Sequence, residues 1–183
     1  MTLTFNEQSK TAYLFPGQGA QIVGMGKDIY DHSRAARDIF EQVDDALGRS
    51  LSNILFEGPE ESLKDTVNAQ PGIMTVSLAC VEAIKEHIDQ EDIPVPFVMA
   101  GHSLGEYTAL VAADVLNVKD AALLVQKRGE LMQEACDRNP GTMAAILGLN
   151  EMTLEEIARE SGTFVSNINT NEQIVISGSN MGI

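Results

Sequence analysis

The chain has 183 residues, of which 44% are hydrophobic and 21% are charged, so it can bury one substantial core or form a domain with a smaller satellite. Its net charge of -15 argues against a nucleic-acid partner, because phosphate recognition needs a basic face. No apolar run reaches membrane-span length, the first ten residues lack a signal-peptide core, and Cys80 and Cys136 suggest no disulfide framework. We therefore expect a cytoplasmic globular protein that does not contact a membrane.

The first part of the chain predicts one strand and then helices. Residues 11–15 are typical of a short buried strand. Residues 33–47 have the apolar stripe of an amphipathic helix, and Gly48 stands where a C-terminal stop belongs. We expect Pro59 to be the first residue of another helix, and Pro71 to open a long helix buried on most sides.

The most informative segment follows an apolar run at residues 96–100. Residues 101–105 have the pattern Gly-X-Ser-X-Gly, and residues 106–113 are helical in composition. A sharp strand-to-helix turn of this kind presents a serine hydroxyl to a substrate, and the free N–H groups of the helix point to the same place. Ser103 is therefore a candidate nucleophile. The structural alternative is a solvated serine at a helix N-terminus.

The next helix carries a cation at an unexpected position. Asn117 is expected to cap it, and it should run to about Asp137. The apolar stripe consists of Ala121, Leu124, Val125, Leu131, Met132 and Ala135. The missing member of this series, seven residues after Ala121, is Arg128, which predicts a guanidinium in the middle of the buried stripe. Such a group needs a carboxylate or several acceptors, because an unpaired buried charge is very costly.

The pattern changes after a junction at residues 138–141. Strand, helix, strand and strand are predicted in turn, at residues 142–147, 153–160, 164–168 and 174–177, with Thr153 capping the helix. These are the first four elements of a split β-α-β, ferredoxin-like unit. The predicted fold class is α/β, with a parallel-sheet, hydrolase-like large subdomain over residues 1–138 and the start of a ferredoxin-like small subdomain over residues 139–183.

The loop at residues 15–21 is the second candidate binding element. It fails both nucleotide-loop patterns, because Ile22 and Met25 stand where glycine and lysine are required. What remains is a tight loop at the carboxyl end of a strand, the edge of an α/β sheet where ligands bind. One backbone N–H from this loop and one from the residue after Ser103 could form an oxyanion hole. A purely structural turn is the alternative.

A serine nucleophile needs a base, and none of the chain's 3 histidines is convincing. His32 is expected at a helix start in solvent and His87 among acidic residues near a helix end. His102 adjoins Ser103, but neighbouring side chains diverge at such a turn, so we expect His102 to order the turn. Either the chain is not a serine catalyst, or the base lies beyond residue 183. No His/Cys/Asp/Glu cluster has metal-ligand spacing, so no metal is predicted.

Taken together, these segments resemble the malonyl-CoA:acyl carrier protein transacylase family, which includes the acyltransferase domains of fatty-acid and polyketide synthases. The resemblance covers about residues 11–180. The matching segments are the loop at 15–21, Gln70-Pro71, the turn at 100–107, Arg128-Gly129 with Met132-Gln133, the strand at 143–149 and the strand pair at 167–178.

The resemblance implies a role for each candidate residue. Ser103 would accept the acyl group, and Gln18 and Leu104 would supply oxyanion-hole N–H groups. Arg128 would pair with the free carboxylate of the malonyl group, and His102 would also be a substrate-binding residue. Malonyl would move from coenzyme A to the serine and then to the phosphopantetheine thiol of acyl carrier protein, in fatty acid biosynthesis. No cofactor is implied beyond the coenzyme A thioester, which is a substrate.

The sequence departs from the family pattern in what it lacks: the last helix and strand of the small subdomain and the closing part of the large subdomain. The catalytic histidine of the family lies in a Ser-His segment C-terminal to everything seen here, so the chain resembles an N-terminal part, and we expect it to be nearly inactive alone. Two other functions stay open. One is a serine hydrolase of the esterase or patatin-like type, although Arg128 has no use for a neutral ester. The other is a non-catalytic remnant that keeps the motifs without the base.

Overall fold

The computed structural model describes residues 11–183, which divide into two compact units, residues 11–133 and residues 134–183. The first unit contains β1 (Ala12–Phe15), α1 (Lys27–His32), α2 (Arg34–Leu47), α3 (Leu51–Glu57), α4 (Glu60–Lys64), α5 (Thr66–His87), β2 (Val98–Gly101), α6 (Gly105–Ala112) and most of α7 (Val118–Arg138). The second contains β3 (Thr142–Leu147), α8 (Glu151–Ser161), β4 (Phe164–Thr170) and β5 (Gln173–Gly178). The α/β fold class is confirmed.

The two strands of the first unit are parallel neighbours. Their register pairs Phe15 with Gly101, so both strands end at the same edge. The strand predicted at residues 11–15 is present, but the prediction that it is buried is wrong, since Leu14 is 75% exposed. The physical reason is that α6 packs against this pair and leaves the outward-facing side chains uncovered.

The core of the first unit lies between α2 and α5. The helix predicted at 33–47 is confirmed, with Ser33 as its N-cap and Gly48 in the left-handed conformation at its C-terminus. The Ser33 hydroxyl accepts from the Ala36 N–H at 3.0 Å and donates to the Glu86 carboxylate. That hydroxyl, together with backbone N–H groups at the start of α2, lowers the pKa of Glu86 below its ordinary value.

Helix α5 begins at Thr66, so the prediction that Pro71 opens it is wrong. Proline lacks the N–H that would bond the carbonyl four residues back, which here belongs to Val67. The Arg49 guanidinium fills that gap, donating from Nη2 to the Val67 carbonyl at 3.3 Å and from Nη1 to Asn68 Oδ1 at 2.7 Å. The helix continues through the proline because another side chain supplies the missing donor.

Helix α7 buries only the first part of the predicted stripe, at Ala121 and Val125. Its buried residues are Ala121, Ala122, Val125 and Gly129, whereas Leu124, Leu131 and Met132 are 49%, 52% and 42% exposed. A Cβ on Gly129 would lie 2.9 Å from the Thr66 carbonyl oxygen, so α7 meets α5 almost backbone to backbone. Only small residues fit along that line, and Arg128 is half-buried at its margin instead of central.

The second unit is the predicted β-α-β-β arrangement. Its strand order is β3-β5-β4, with β5 antiparallel to both neighbours, which is the split β-α-β topology. Helix α8 packs Leu154 onto Ile174 and Ile176. The helix starts two residues before Thr153, because the Asn150 side chain caps it by accepting from the Thr153 N–H at 2.9 Å. Similarly, Pro59 precedes α4 as its cap and is not its first residue.

Candidate active site

The site is built around the turn between β2 and α6. Ser103 has φ 55, a left-handed conformation that L-residues other than glycine rarely adopt. Backbone bonds hold it: the His102 N–H donates to the Phe15 carbonyl at 3.1 Å, and the Glu106 N–H donates to the Ser103 carbonyl at 3.2 Å. This is the strained strand-to-helix turn that the Gly-X-Ser-X-Gly pattern predicts.

Two glycines make the turn possible by removing side chains between backbones. A Cβ on Gly101 would lie 1.9 Å from the Gly105 carbonyl carbon, and one on Gly105 would lie 2.3 Å from the Phe15 carbonyl oxygen. The start of α6 therefore rests directly on the ends of both strands. Leu104, fully buried, anchors the first turn of that helix, where backbone N–H groups lack helical partners.

The loop that follows β1 lies against the turn. A Cβ on Gly17 would be 2.7 Å from His102 Nδ1 and 2.8 Å from the His102 carbonyl oxygen. This close approach brings the Gln18 loop and the Ser103 turn to the same edge of the strand pair. The exposed His102 ring lies beside the loop, whereas the hydroxyl of Ser103 contacts a different residue.

That residue is Arg128, which α7 brings to the site because of its close packing at Gly129. Arg128 Nη2 donates to Ser103 Oγ at 2.8 Å, and Nη1 donates to Gln70 Oε1 at 2.5 Å. The guanidinium carbon also lies 5.9 Å from the centre of the Tyr107 ring, within cation–π range. The partners of Arg128 are thus an amide, a hydroxyl and a ring, all of them neutral.

Gln70 links the guanidinium to the β1 loop. Its side chain is fully buried, and its Nε2 donates to Gln18 Oε1 at 3.3 Å and to Met132 Sδ at 3.2 Å. Gln18 Nε2 in turn donates to Thr66 Oγ1 at 3.4 Å. We call this series, Arg128–Gln70–Gln18–Thr66, the amide relay. Each residue donates a hydrogen bond to the next one, so all three hydrogen bonds point in the same direction, away from the Arg128 cation.

Sequence reasoning noted Gln70 only as part of a motif and assigned no role to it or to Thr66. The available signal was an amide within the apolar run at residues 69–74, a context in which a buried polar group must have partners. Sequence reasoning expected the backbone N–H of Gln18 in the oxyanion hole but did not predict that the Gln18 side chain is part of the amide relay.

The arrangement places a positive charge beside a potential nucleophile. None of the ion pairs among residues 11–183 includes Arg128, so no carboxylate neutralises it. Because Arg128 only donates, the hydroxyl proton of Ser103 stays available to a base, and the cation favours the developing alkoxide. This geometry suits an acyl group with a negatively charged end.

Among the described residues, no histidine ring is hydrogen-bonded to Ser103 Oγ, whose partner is Arg128. His32 is exposed and lies between α1, which it ends, and Ser33, the N-cap of α2, so it is at a helix start as predicted. His87 is the exposed last residue of α5. In the described part of the chain, no group of His, Cys, Asp and Glu residues is arranged to hold a metal ion. Over the same residues, no helix has the length and apolarity to cross a membrane.

Comparison with known proteins gives a consistent result. Residues 12–183 match the family model described as an acyl transferase domain. The chain is similar to the malonyl CoA-acyl carrier protein transacylase of Bacillus subtilis strain 168, at 47% identity over 180 residues, covering 96% of this chain and 55% of the relative. It is also similar to that of Haemophilus influenzae, at 42% identity over 178 residues, covering 95% and 56%.

Solved structures agree with this assignment. The acyl-carrier-protein-S-malonyltransferase of Bartonella henselae superposes with a TM-score of 0.84 at 44% identity, covering 93% of this chain and 55% of that one. A malonyl-transacylase solved in complex with a type II PKS acyl-carrier protein superposes with a TM-score of 0.82 at 38% identity, covering 93% and 55%. The chain spans about half the length of the curated relatives it matches.

Proposed function

Because this chain belongs to the acyl transferase domain family, we propose that Ser103 accepts a malonyl group from coenzyme A and passes it to the phosphopantetheine thiol of an acyl carrier protein. Ser103 Oγ attacks the thioester carbonyl carbon, the C–S bond breaks, and the serine proton reaches the departing thiolate through a base. The carrier thiol then attacks the malonyl ester and releases the serine. The whole reaction would serve fatty acid biosynthesis.

One observation carries this proposal: the 2.8 Å contact between Arg128 Nη2 and Ser103 Oγ. In a malonyl thioester the free carboxylate carbon is two covalent bonds from the carbonyl that the serine attacks, a separation of roughly 2.5 Å. A group that short can react at Ser103 while its carboxylate takes the guanidinium, whose planar fork matches carboxylate geometry. A neutral ester would leave the cation unused, which favours transfer of malonyl over ester hydrolysis.

We further propose that the Leu104 and Gln18 N–H groups form the oxyanion hole and that His102 borders the substrate. The position of Leu104 as the N-cap residue of α6 supports its role in the oxyanion hole. The close approach of Gly17 to His102 supports the roles of Gln18 and His102. The family's Ser-His segment would supply the base. No cofactor beyond the thioester is required, and the free thiols of Cys80 and Cys136 suit the reducing cytoplasm.

Intact-mass spectrometry tests the proposal. The chain is incubated with malonyl-CoA, with imidazole added as an external base, beside Ser103→Ala and the control Ser166→Ala. We expect one malonyl adduct in the wild type and in the control, and none in Ser103→Ala. Release of free malonate would support a hydrolase instead, and absence of any adduct would support the non-catalytic remnant.

A further inference from the structure

We propose that Gln70 is a positioning residue that makes the site prefer acyl chains ending in a carboxylate, because it holds the Arg128 guanidinium beside Ser103 without neutralising it. This inference rests on the proposed function and names the residue that would set acyl selectivity at that site. Three features of the structure support it: the burial of Gln70, the fixed direction of its amide, and its lack of charge.

Burial and hydrogen bonding fix the Gln70 amide in one orientation. The side chain is fully buried, with Oε1 accepting from Arg128 at 2.5 Å and Nε2 donating to Gln18 at 3.3 Å. A guanidinium has only donors, so a flipped amide would turn its NH2 group toward Arg128 and its oxygen toward the Gln18 oxygen. The contact with Arg128 would be lost, because no rotation gives a guanidinium an acceptor, so the amide keeps this orientation and the bond from Nη1 fixes where Nη2 points.

The neutrality of Gln70 is what keeps Arg128 available to a substrate. The Gln70 amide oxygen accepts one of the N–H groups of the Arg128 guanidinium but carries no charge, so the positive charge of Arg128 is not compensated. A carboxylate in the same place would form a charge-assisted pair with Arg128 and compete with the malonyl carboxylate. The residue at position 70 thus decides whether the site attracts a negatively charged acyl end.

The site tolerates the substitution that tests this idea. Glutamate has nearly the shape of glutamine, and its second oxygen would meet Gln18 in place of the Gln70 NH2 group. Gln18 is exposed, so its amide can rotate to present NH2 to that oxygen and its own oxygen to the Thr66 hydroxyl. Gln70→Met is the neutral comparison, since it keeps the volume and removes the acceptor.

The experiment compares the dissociation constants of malonyl-CoA and acetyl-CoA by calorimetry. All proteins carry Ser103→Ala, so that no transfer occurs during titration. A charge-assisted bond predicts that the parent binds malonyl-CoA about tenfold or more tightly than acetyl-CoA. We expect Gln70→Glu to bring this ratio to about one. Gln70→Met should fall between the two, because the cation stays but loses its orientation.

Gln126→Glu is the matched control. Gln126 lies on α7, as Arg128 does, and its Oε1 accepts from Arg49 Nε at 3.4 Å. The variant therefore makes the same change, glutamine to glutamate, beside a different arginine. We expect its ratio to equal that of the parent, which excludes a general effect of added negative charge. A merely structural role for Gln70 would weaken both ligands equally and leave the ratio unchanged.

An unchanged ratio in Gln70→Glu, with a parent that discriminates, overturns the inference. Should that variant fail to fold, an unchanged ratio in Gln70→Met overturns it equally. Failure of the proposed function has a different signature, namely the absence of a Ser103-dependent malonyl adduct, so the two outcomes can be told apart.

Discussion

Replacing Gly101 with alanine should disrupt the turn that carries Ser103. The added Cβ would lie 1.9 Å from the Gly105 carbonyl carbon, 2.0 Å from its oxygen and 2.3 Å from the Glu106 nitrogen. All three atoms are backbone, so no side-chain rotation relieves the contact. Restoring a separation of 3.0 Å requires β2 and the start of α6 to move apart by about an ångström.

The energetic cost follows from the bonds that such a movement strains. Three backbone hydrogen bonds hold the turn: His102 to Phe15 at 3.1 Å, Gly105 to His102 at 2.9 Å and Glu106 to Ser103 at 3.2 Å. At about 1 kcal/mol net for each, and with the packing of α6 also disturbed, we expect the free energy of unfolding to fall by about 3 kcal/mol or more.

Urea unfolding followed by tyrosine fluorescence measures this loss. The chain has 3 tyrosines, at positions 13, 30 and 107, and no tryptophan, so the signal reports on the first unit alone. Gly48→Ala is the control: Gly48 has φ 63 but open space around a Cβ, so it should lose only about 1 kcal/mol, through backbone strain. Equal losses in the two variants would refute the steric argument.

Three further predictions concern separate parts of the chain. In a chain that forms the malonyl adduct, Arg128→Ala should slow malonyl transfer far more than acetyl transfer, measured by intact mass; equal losses would remove its role in binding the carboxylate. Glu86→Gln should lower the stability of the protein, and the full loss is expected above a pH of about 4.3, where the carboxylate is ionised in both the folded and the unfolded chain. The difference should vanish as the pH falls through the lowered pKa of Glu86, because protonation removes the charge that strengthens the Ser33 bond, and thermal melts at several pH values test this. Asn150→Ala should cost about 1 kcal/mol in α8 stability and Thr153→Ala much less, by amide hydrogen exchange, and the reverse order would restore Thr153 as the cap.

Features set by short-range pattern were predictable from the sequence. The Ser103 turn, the α2 helix with its Ser33 cap and Gly48 stop, and the β-α-β-β order each depend on residues close together in the chain. Local spacing carries this information because caps, tight turns and strand alternation are decided within a few residues.

Features set by contacts distant in sequence were not predictable. The face of α7 follows from Gly129 meeting the Thr66 backbone, which an apolar stripe cannot show. The start of α5 depends on Arg49, and the partner of Arg128 is Gln70, 58 residues away in the chain. Sequence reasoning identified the unusual cation, but only the fold shows that a neutral amide holds it.

The contact of Arg49 with the Val67 carbonyl has a consequence for recombining this protein with its relatives. Because the Arg49 side chain supplies the hydrogen bond that Pro71 cannot donate to the Val67 carbonyl, Arg49 and Pro71 must be inherited together. A chimera that inherits the proline without the arginine would carry an unsatisfied carbonyl at Val67, one residue after the start of α5. A chimera that inherits Arg49 without Pro71 would have a residue 71 whose N–H bonds the Val67 carbonyl, so the Arg49 guanidinium would compete for that acceptor. Crossover points between residues 49 and 71 are therefore the ones to avoid.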